Sequence, residues 1–358
     1  MIRRSSISLN LANTGKLDHL RQFVVEYCRV VQNYIDLLWE KEIFYGTFIP
    51  KDIQLSVSTW LSYSAQQCSG KQALQIVKSQ RRKHPDLRTK PTFEKKTLEL
   101  DSRFTEIKKS ENSFDLWIKF RCMGKNVRMW VPIRKHKHFN QFQDWAQKKS
   151  TRLKLCDDGR LFLDIFFEKE APPVRTGKVI GLDCGFKKLA VTSEGQFLGT
   201  QLPAKTNKIA RKLQGSKAFQ RALTERDVYL NQVAKGVDLT DVGTIVVESL
   251  KNVKRNSKGK IQRKVMNKLQ RWTYPRFLNR LEQRCEVVGV QWHTVAPAYT
   301  SQMCEKCGFI HKENRVGELF KCRSCGYTED ADFNASKNIL NRFLLHEPTD
   351  RAQERFLA

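Results

Sequence analysis

Two groups of side chains in this chain have the types and spacing to do chemistry. Cys304-Glu-Lys-Cys307 and Cys322-Arg-Ser-Cys325 are separated by fourteen residues, and Gly308 and Gly326 follow directly. Paired thiols at that spacing fold around one tetrahedral Zn²⁺; four thiolates at about 2.3 Å close its shell and leave no position for a substrate, so the site is structural. His311 lies between the pairs and could replace a thiolate as a ligand, but it is expected to face solvent or nucleic acid. The second group is acidic. Asp183 and Glu248 end the apolar runs Val179-Ile-Gly-Leu-Asp183 and Thr244-Ile-Val-Val-Glu248, and Asp332 stands where a helix begins. Three carboxylates converging at strand ends can hold two divalent cations, and Mg²⁺, a hard ion, suits oxygen ligands. Phosphodiester hydrolysis uses such an arrangement, with metals about 3.5 to 4 Å apart.

Each acid also fits a plainer role. Asp183 could be a turn acid before Gly185, Glu248 a surface acid at a strand end, and Asp332 the N-cap of a helix starting at Phe333. Asp330 and Asp332 flank one alanine, so one of them could serve the metal without the other. Asp332 is preferred for its fixed spacing to Asn334 and Asn338.

The elements that must position these groups are legible from periodicity. Ile7, Leu9 and Leu11 alternate with polar residues and predict an opening strand. From Leu17 to Leu38 apolar residues recur at three and four, which predicts one long helix, and a second runs from about Trp60 to Lys83 before Pro85. Over residues 93–169 the period becomes two. Asp158-Gly159 there predicts a hairpin turn within a small antiparallel sheet or barrel that the opening strand joins. Ala171-Pro172-Pro173 reads as a linker. Beyond it strands alternate with helices, which predicts an α/β domain: a returning strand over 189–192, a basic helical region over 205–235, a helix starting near Pro275 and a strand over 287–292.

The formal net charge is +28, with 65 basic against 37 acidic residues, so a polyanion is the expected partner. Lys78, Arg81 and Arg82 end the second helix. Lys251, Lys254, Arg255, Lys258, Lys260, Arg263, Lys264, Lys268 and Arg271 form the densest basic stretch, a candidate for phosphate contact without sequence readout. Trp272, Tyr274 and Trp292 could stack on bases, but aromatic residues at such junctions more often fill cores. No run of eighteen apolar residues and no secretory leader is present, which predicts neither a membrane span nor export. Cys28, Cys68, Cys122, Cys156, Cys184 and Cys285 are scattered, as in a reducing cytosol.

The segments GLDCGFKKLAVTSEG, TIVVESLKNV, AYTSQMCEKCG, FKCRSCG and DADFNASKNI, in this order, resemble the nuclease half of the TnpB (OrfB) family, transposon-encoded RNA-guided DNA endonucleases related to the miniature type V CRISPR effectors. The resemblance is strongest over residues 175–342. It implies an α/β and α+β multidomain protein. A β-barrel-like wedge domain (1–12 and 93–172) would carry an inserted helical recognition domain (13–92). An RNase H-like RuvC nuclease domain (173–298 and 329–345) would carry an inserted zinc ribbon (299–328), followed by a tail (346–358). Asp183, Glu248 and Asp332 match the acids of the three RuvC motifs, and Cys304, Cys307, Cys322 and Cys325 the ribbon ligands. The implied partners are a guide RNA and double-stranded target DNA flanked by a short adjacent motif. The implied cofactors are structural Zn²⁺ and catalytic Mg²⁺, the state a monomer, and the location the prokaryotic cytoplasm. Cys184 and Ser336 depart from the family pattern by small changes. Two other readings stay open: a catalytically silent RNA-guided DNA-binding regulator, and a transposase or resolvase on the same RNase H-like fold.

Overall fold

The computed structural model describes residues 1–83, 89–94, 96–110, 113–124, 128–249 and 274–346. The chain is a multidomain α/β protein of two compact units, Met1–Glu170 and Ala171–Ala358. They part just before Pro172-Pro173, where neither proline has an N–H to give a sheet or helix.

In the first unit the order is β1 (Ile2–Ser8), α1 (Thr14–Glu40), α2 (Lys51–Ser56), α3 (Tyr63–Lys83), β2 (Thr97–Leu100), β3 (Thr105–Lys109), β4 (Leu116–Phe120), β5 (Met129–Ile133), α4 (Lys137–Asn140), β6 (Ala146–Leu155) and β7 (Leu161–Glu168). The α1 stripe is buried throughout, and Asn13 starts the helix by accepting from the Lys16 N–H at 3.1 Å. The strands form two antiparallel sheets, β1-β7-β6-β2 and β3-β4-β5, whose apolar faces share one core with the helices. The opening strand pairs along its whole length with β7. Gly159 takes φ +79° in the β6–β7 turn, a conformation glycine adopts freely. Two expectations shift: the opening strand ends at Ser8, leaving Leu9 and Leu11 beyond it and Leu11 exposed, and α3 begins at Tyr63 rather than near Trp60. Ser62 Oγ accepts from the Ala65 N–H at 3.1 Å and caps it there, while Leu61 bridges to Gly124.

The second unit runs β8 (Lys178–Asp183), β9 (Ala190–Thr192), β10 (Phe197–Leu198), α5 (Leu202–Ala210), α6 (Lys217–Gly236), β11 (Val242–Glu248), α7 (Tyr274–Val288), β12 (Gln291–Val295), β13 (Arg315–Val316), β14 (Leu319–Lys321), β15 (Thr328–Asp330) and α8 (Ala331–His346). Its main sheet has the order β10-β9-β8-β11-β12, with β8, β11 and β12 parallel and β8, β9 and β10 antiparallel. Ile180, Leu182, Ile245 and Val247 face a core shared with Leu230, Phe277 and Leu281 of the helices. Val179 and Val246 face the other way, toward Ile339 and Phe343 of α8. Both sheet faces are therefore covered, which is why these strands read as continuous apolar runs.

Two sequence expectations are corrected in this unit. The basic region over 205–235 is two helices, because Gly215 turns at φ +85° and Ser216 caps α6 by accepting from the Phe219 N–H at 3.1 Å. Val287 and Val288 end α7 instead of starting a strand. Cys285, one turn earlier, is wholly buried in the core, which holds the helical register, and Gly289 at φ +78° then breaks the helix before β12. Among the described residues no helix is long and apolar enough to cross a membrane.

Candidate active site and metal centre

The parallel pair β8–β11 matches Val246 with Gly181 and Val247 with Leu182, so the next step of the ladder sets Glu248 beside Asp183. Side chains alternate between faces, and Gly181 lies against α8, so Asp183, two residues on, also faces α8. Gly181 itself sets the depth of that helix. A Cβ at this position would lie 2.8 Å from the Leu340 backbone nitrogen and closer still to the Ser336 carbonyl oxygen, so no side chain fits between strand and helix. Asp332 sits in the first turn of α8.

The three predicted acids are thus brought together at one end of the sheet. Asp183 is 8% exposed and Asp332 5%. Burial first, and then the neighbouring Glu248 and Asp332 carboxylates, push the Asp183 carboxyl well above its ordinary range, against the pull of Arg315. Burial also raises Glu248, opposed by the Thr300 hydroxyl and by Arg342 and Arg315. Largely buried carboxylates that repel one another, with the Arg315 and Arg342 guanidiniums in partial compensation, offer the oxygen ligands that suit a hard divalent cation.

The choice between Asp330 and Asp332 has a structural answer. Asp330 Oδ1 accepts from the backbone N–H of Asp332 and of Phe333, both at 3.1 Å, so Asp330 caps α8 and the helix starts earlier than expected. Its other oxygen is held by Lys188. Asp332 instead meets Arg315 at 2.6 Å.

Several residues that shape the site were missed at the sequence level. Thr300 is wholly buried and donates its hydroxyl to Glu248. Tyr299, just before it, has φ +62°, an uncommon conformation for a residue with a side chain, and its carbonyl accepts from Gln302 and Met303 at 2.9 Å each. On α8, Asn334 accepts from the Glu305 N–H at 3.1 Å and donates to the Met303 carbonyl at 2.8 Å, while Asn338 donates to the Thr300 and Met303 carbonyls at 2.9 and 2.6 Å. The segment 300–305 is thereby clasped to the helix that carries Asp332. The spacing of Asn334 and Asn338 was visible in sequence; their partners, thirty or so residues back, were not.

The four cysteines converge as well. Their sulfurs all lie within 4.8 Å of one another, with Cys304–Cys325 at 3.7 Å and Cys307–Cys322 at 3.6 Å. A disulfide needs about 2.05 Å, whereas thiolates on a tetrahedron with 2.3 Å bonds stand about 3.8 Å apart, so the spacing fits a shared metal ion. The backbone N–H groups of Ser324 and Cys325 point at the Cys322 sulfur at 3.4 Å each. Asn314, also unforeseen, is buried and ties the two halves together: its amide donates to the Gln302 and Phe309 carbonyls, and its oxygen accepts from the Arg323 N–H. His311 Nδ1 accepts from the Glu313 N–H at 3.2 Å and stays outside the sulfur cluster. The sheet β13-β14-β15 leads straight into α8, so this knuckle and the third acid share one rigid run of backbone.

The nucleic-acid candidates divide. In α3, Lys78 donates to the Gly46 carbonyl, Arg81 lies over the Trp39 and Phe44 rings at 4.6 and 4.2 Å, and Arg82 is exposed. Lys254, Arg255, Lys258, Arg263 and Lys264, the rest of the 251–271 stretch and Trp272 lie outside the described residues, as do residues 347–358. Tyr274 is buried and Trp292 packs on the main core, in keeping with a structural reading of both.

Residues 274–339 match the model of the Cas12f1-like, TNB domain family. The CRISPR-associated endodeoxyribonuclease Cas12f1 of Sulfoacidibacillus thermotolerans is 40% identical over 98 residues, 27% of this chain and 21% of that protein. The putative RNA-guided DNA endonuclease InsQ of Escherichia coli K12 is 31% identical over 217 residues, 51% of this chain and 54% of that one. The chain thus spans between about a fifth and about half of the length of these curated relatives. In fold it is similar to a Cas12f1 bound to single-guide RNA and target DNA, with a TM-score of 0.57 at 17% identity over 92% of this chain and 83% of that one. TnpB-like proteins are among its relatives too: that of Aquifex aeolicus is 31% identical over 131 residues, 34% of this chain and 42% of that one.

Proposed function

We propose that this chain is an RNA-guided DNA endonuclease that cuts double-stranded DNA matched by a guide RNA and flanked by a short adjacent motif, with Asp183, Glu248 and Asp332 as its metal-binding acids. One observation carries the proposal: the ends of β8 and β11 and the first turn of α8 bring the three carboxylates together, where burial and then mutual repulsion raise Asp183 and a divalent cation would relieve it. Mg²⁺ bound there supplies a Lewis acid and lowers the pKa of water. The chain's own groups hold the acids in place. Thr300 fixes one Glu248 oxygen, the Asp330 cap and the Gly181 contact fix α8, and Arg315 neutralises part of the charge around Asp332.

The same reading assigns residues 173–298 and 329–345 to a RuvC-like nuclease domain, 299–328 to a zinc ribbon with Zn²⁺ on Cys304, Cys307, Cys322 and Cys325, and the first unit to wedge-type (1–12, 93–172) and recognition (13–92) modules that hold RNA and read the adjacent motif. The +28 charge supports polyanionic partners, and the names and complexes of the relatives supply their identity. The test is to sequence RNA that copurifies with the full chain, and then to challenge the complex with a DNA library matching that RNA in the presence of Mg²⁺. Cutting that Asp183→Ala abolishes without loss of bound RNA is the expected result. No enriched RNA, or cutting that survives Asp183→Ala, overturns the reading, and target binding without cutting assigns a silent regulator instead.

A further inference from the structure

Beside the three acids lies an exposed aromatic surface that the metal chemistry does not use. The antiparallel ladder pairs Asp183 with Val191 and Val191 with Phe197. Residues directly opposite one another point to the same face, so Phe197 stands on the Asp183 side of the sheet, two strand spacings or about 10 Å away. The ring is large, apolar and 44% exposed. Phe186, in the loop that leaves Asp183, is 46% exposed.

The Phe197 ring is fixed in place. Lys188 Nζ lies 4.9 Å from its centroid, and the same ammonium holds Asp330, the cap of α8. Its other neighbour is Phe333, with centroids 6.4 Å apart and planes at 50°; Lys337 lies 4.2 Å from the Phe333 centroid, and Gly195 of the β9–β10 turn packs near the ring edge. Lys187, next to Phe186, is 66% exposed although it reaches Glu318 at 2.7 Å. An exposed ring held by a cation, with further lysines around it, lies within one or two nucleotides of a candidate phosphodiester-cleaving site. Such a surface matches the chemistry of unpaired DNA, which offers a base face to an aromatic ring and phosphates to lysines.

We propose that Phe197 is a stacking platform for an unpaired base of a single DNA strand entering the acidic site. The inference rests on the nuclease reading for its choice of DNA and adds to it a subsite that orients the strand. Base stacking tolerates any sequence, so the platform binds without readout.

The test measures fluorescence anisotropy of a labelled twenty-residue oligo(dT), and of the same backbone with abasic sugars, on the full chain without added divalent ion. Phe197→Ala is expected to weaken oligo(dT) about tenfold and to leave the abasic strand unchanged. Phe197→Trp should restore the loss, and Phe197→Leu, which keeps apolar bulk without a π face, should not. Equal loss on both strands, or rescue by Leu, overturns the platform. Dependence on Phe197 only with oligo(U) in place of oligo(dT) overturns the assignment to DNA, and a ring that affects neither strand leaves a protein-docking face in its place. Base-dependent binding by a chain that never cuts DNA refutes the nuclease reading while leaving the platform standing.

Discussion

Gly181→Ala tests whether the depth at which α8 packs on the sheet is what aligns the acids. The added Cβ would stand 2.8 Å from the Leu340 nitrogen and closer to the Ser336 oxygen, and both are helix backbone that cannot rotate away. The helix has to retreat by the order of 1 Å, and overpacking of this kind costs about 1–3 kcal/mol. For a unit of this size that lowers the melting temperature by roughly 3–10 °C. Asp332 moves with the helix while Asp183 and Glu248 stay on their strands, and a misplacement of about 1 Å costs roughly 100-fold in rate. Gly236→Ala is the control, because a Cβ there meets no atom within 4 Å. The assay pairs a melting curve with Mg²⁺-dependent cleavage of guide-matched DNA for the same preparations. Loss of cutting far beyond the loss of folded protein is expected for Gly181→Ala and not for Gly236→Ala. A Gly181→Ala protein that melts and cuts as wild type would show that the helix does not set the site.

Three further outcomes follow from the same geometry. Arg315→Gln removes a cation that holds Asp183 and Glu248 down; both carboxyls then titrate higher, and the acid limb of the cleavage–pH profile should move to higher pH, whereas an unmoved limb refutes the assignment. In metal-free protein the raised Asp183 carboxyl stabilises the fold fully below its ordinary value of 3.8 and loses that contribution as pH rises through its elevated one. Melting curves across pH should show this decline, with added Mg²⁺ or Asp183→Asn abolishing it, and a flat profile would contradict the burial argument. Asn334→Ala leaves the Glu305 N–H without its acceptor, at about 1–3 kcal/mol, and leaves the Met303 carbonyl to Asn338 alone; the expected readout is faster hydrogen exchange over 300–305, and unchanged exchange there refutes the clasp.

Much of this unit is legible in the sequence because its signals are local. The runs ending in Asp183 and Glu248 are apolar because both faces of their strands are covered, and the cysteine pairs carry their spacing within four residues. What stayed hidden depends on partners far along the chain. Nothing near Thr300 in sequence announces Glu248, fifty-two residues back, and nothing near Arg315 announces a bond to Asp332. The errors have the same origin. Val287 and Val288 favour a strand on their own, but burial of Cys285 extended the helix over them, and the Asp330 cap starts the last helix at Ala331, ahead of the Phe333 start that the sequence suggests.

Those long-range contacts give the cysteine knuckle a task that its closed ligand set alone does not explain. The segment entering it carries Thr300, which holds Glu248; the loop between its cysteine pairs carries Arg315, which holds Asp332; and its last strand becomes α8. Two of the three acids therefore take their orientation from the knuckle, and the third, Asp183, feels the charges of both. Replacing Cys322 with Ser should thus act in two places. Loss of one thiolate weakens metal binding and loosens the ribbon, and the loosened ribbon releases Thr300 and Arg315, so divalent-ion affinity at the carboxylates falls although no carboxylate is altered. Titrating Mg²⁺ into the Cys322→Ser protein, with folding of the main sheet checked by circular dichroism, separates this coupling from global unfolding. Wild-type Mg²⁺ affinity in a protein whose ribbon has lost its zinc would mean that the sheet and α8 position the acids without the knuckle's help.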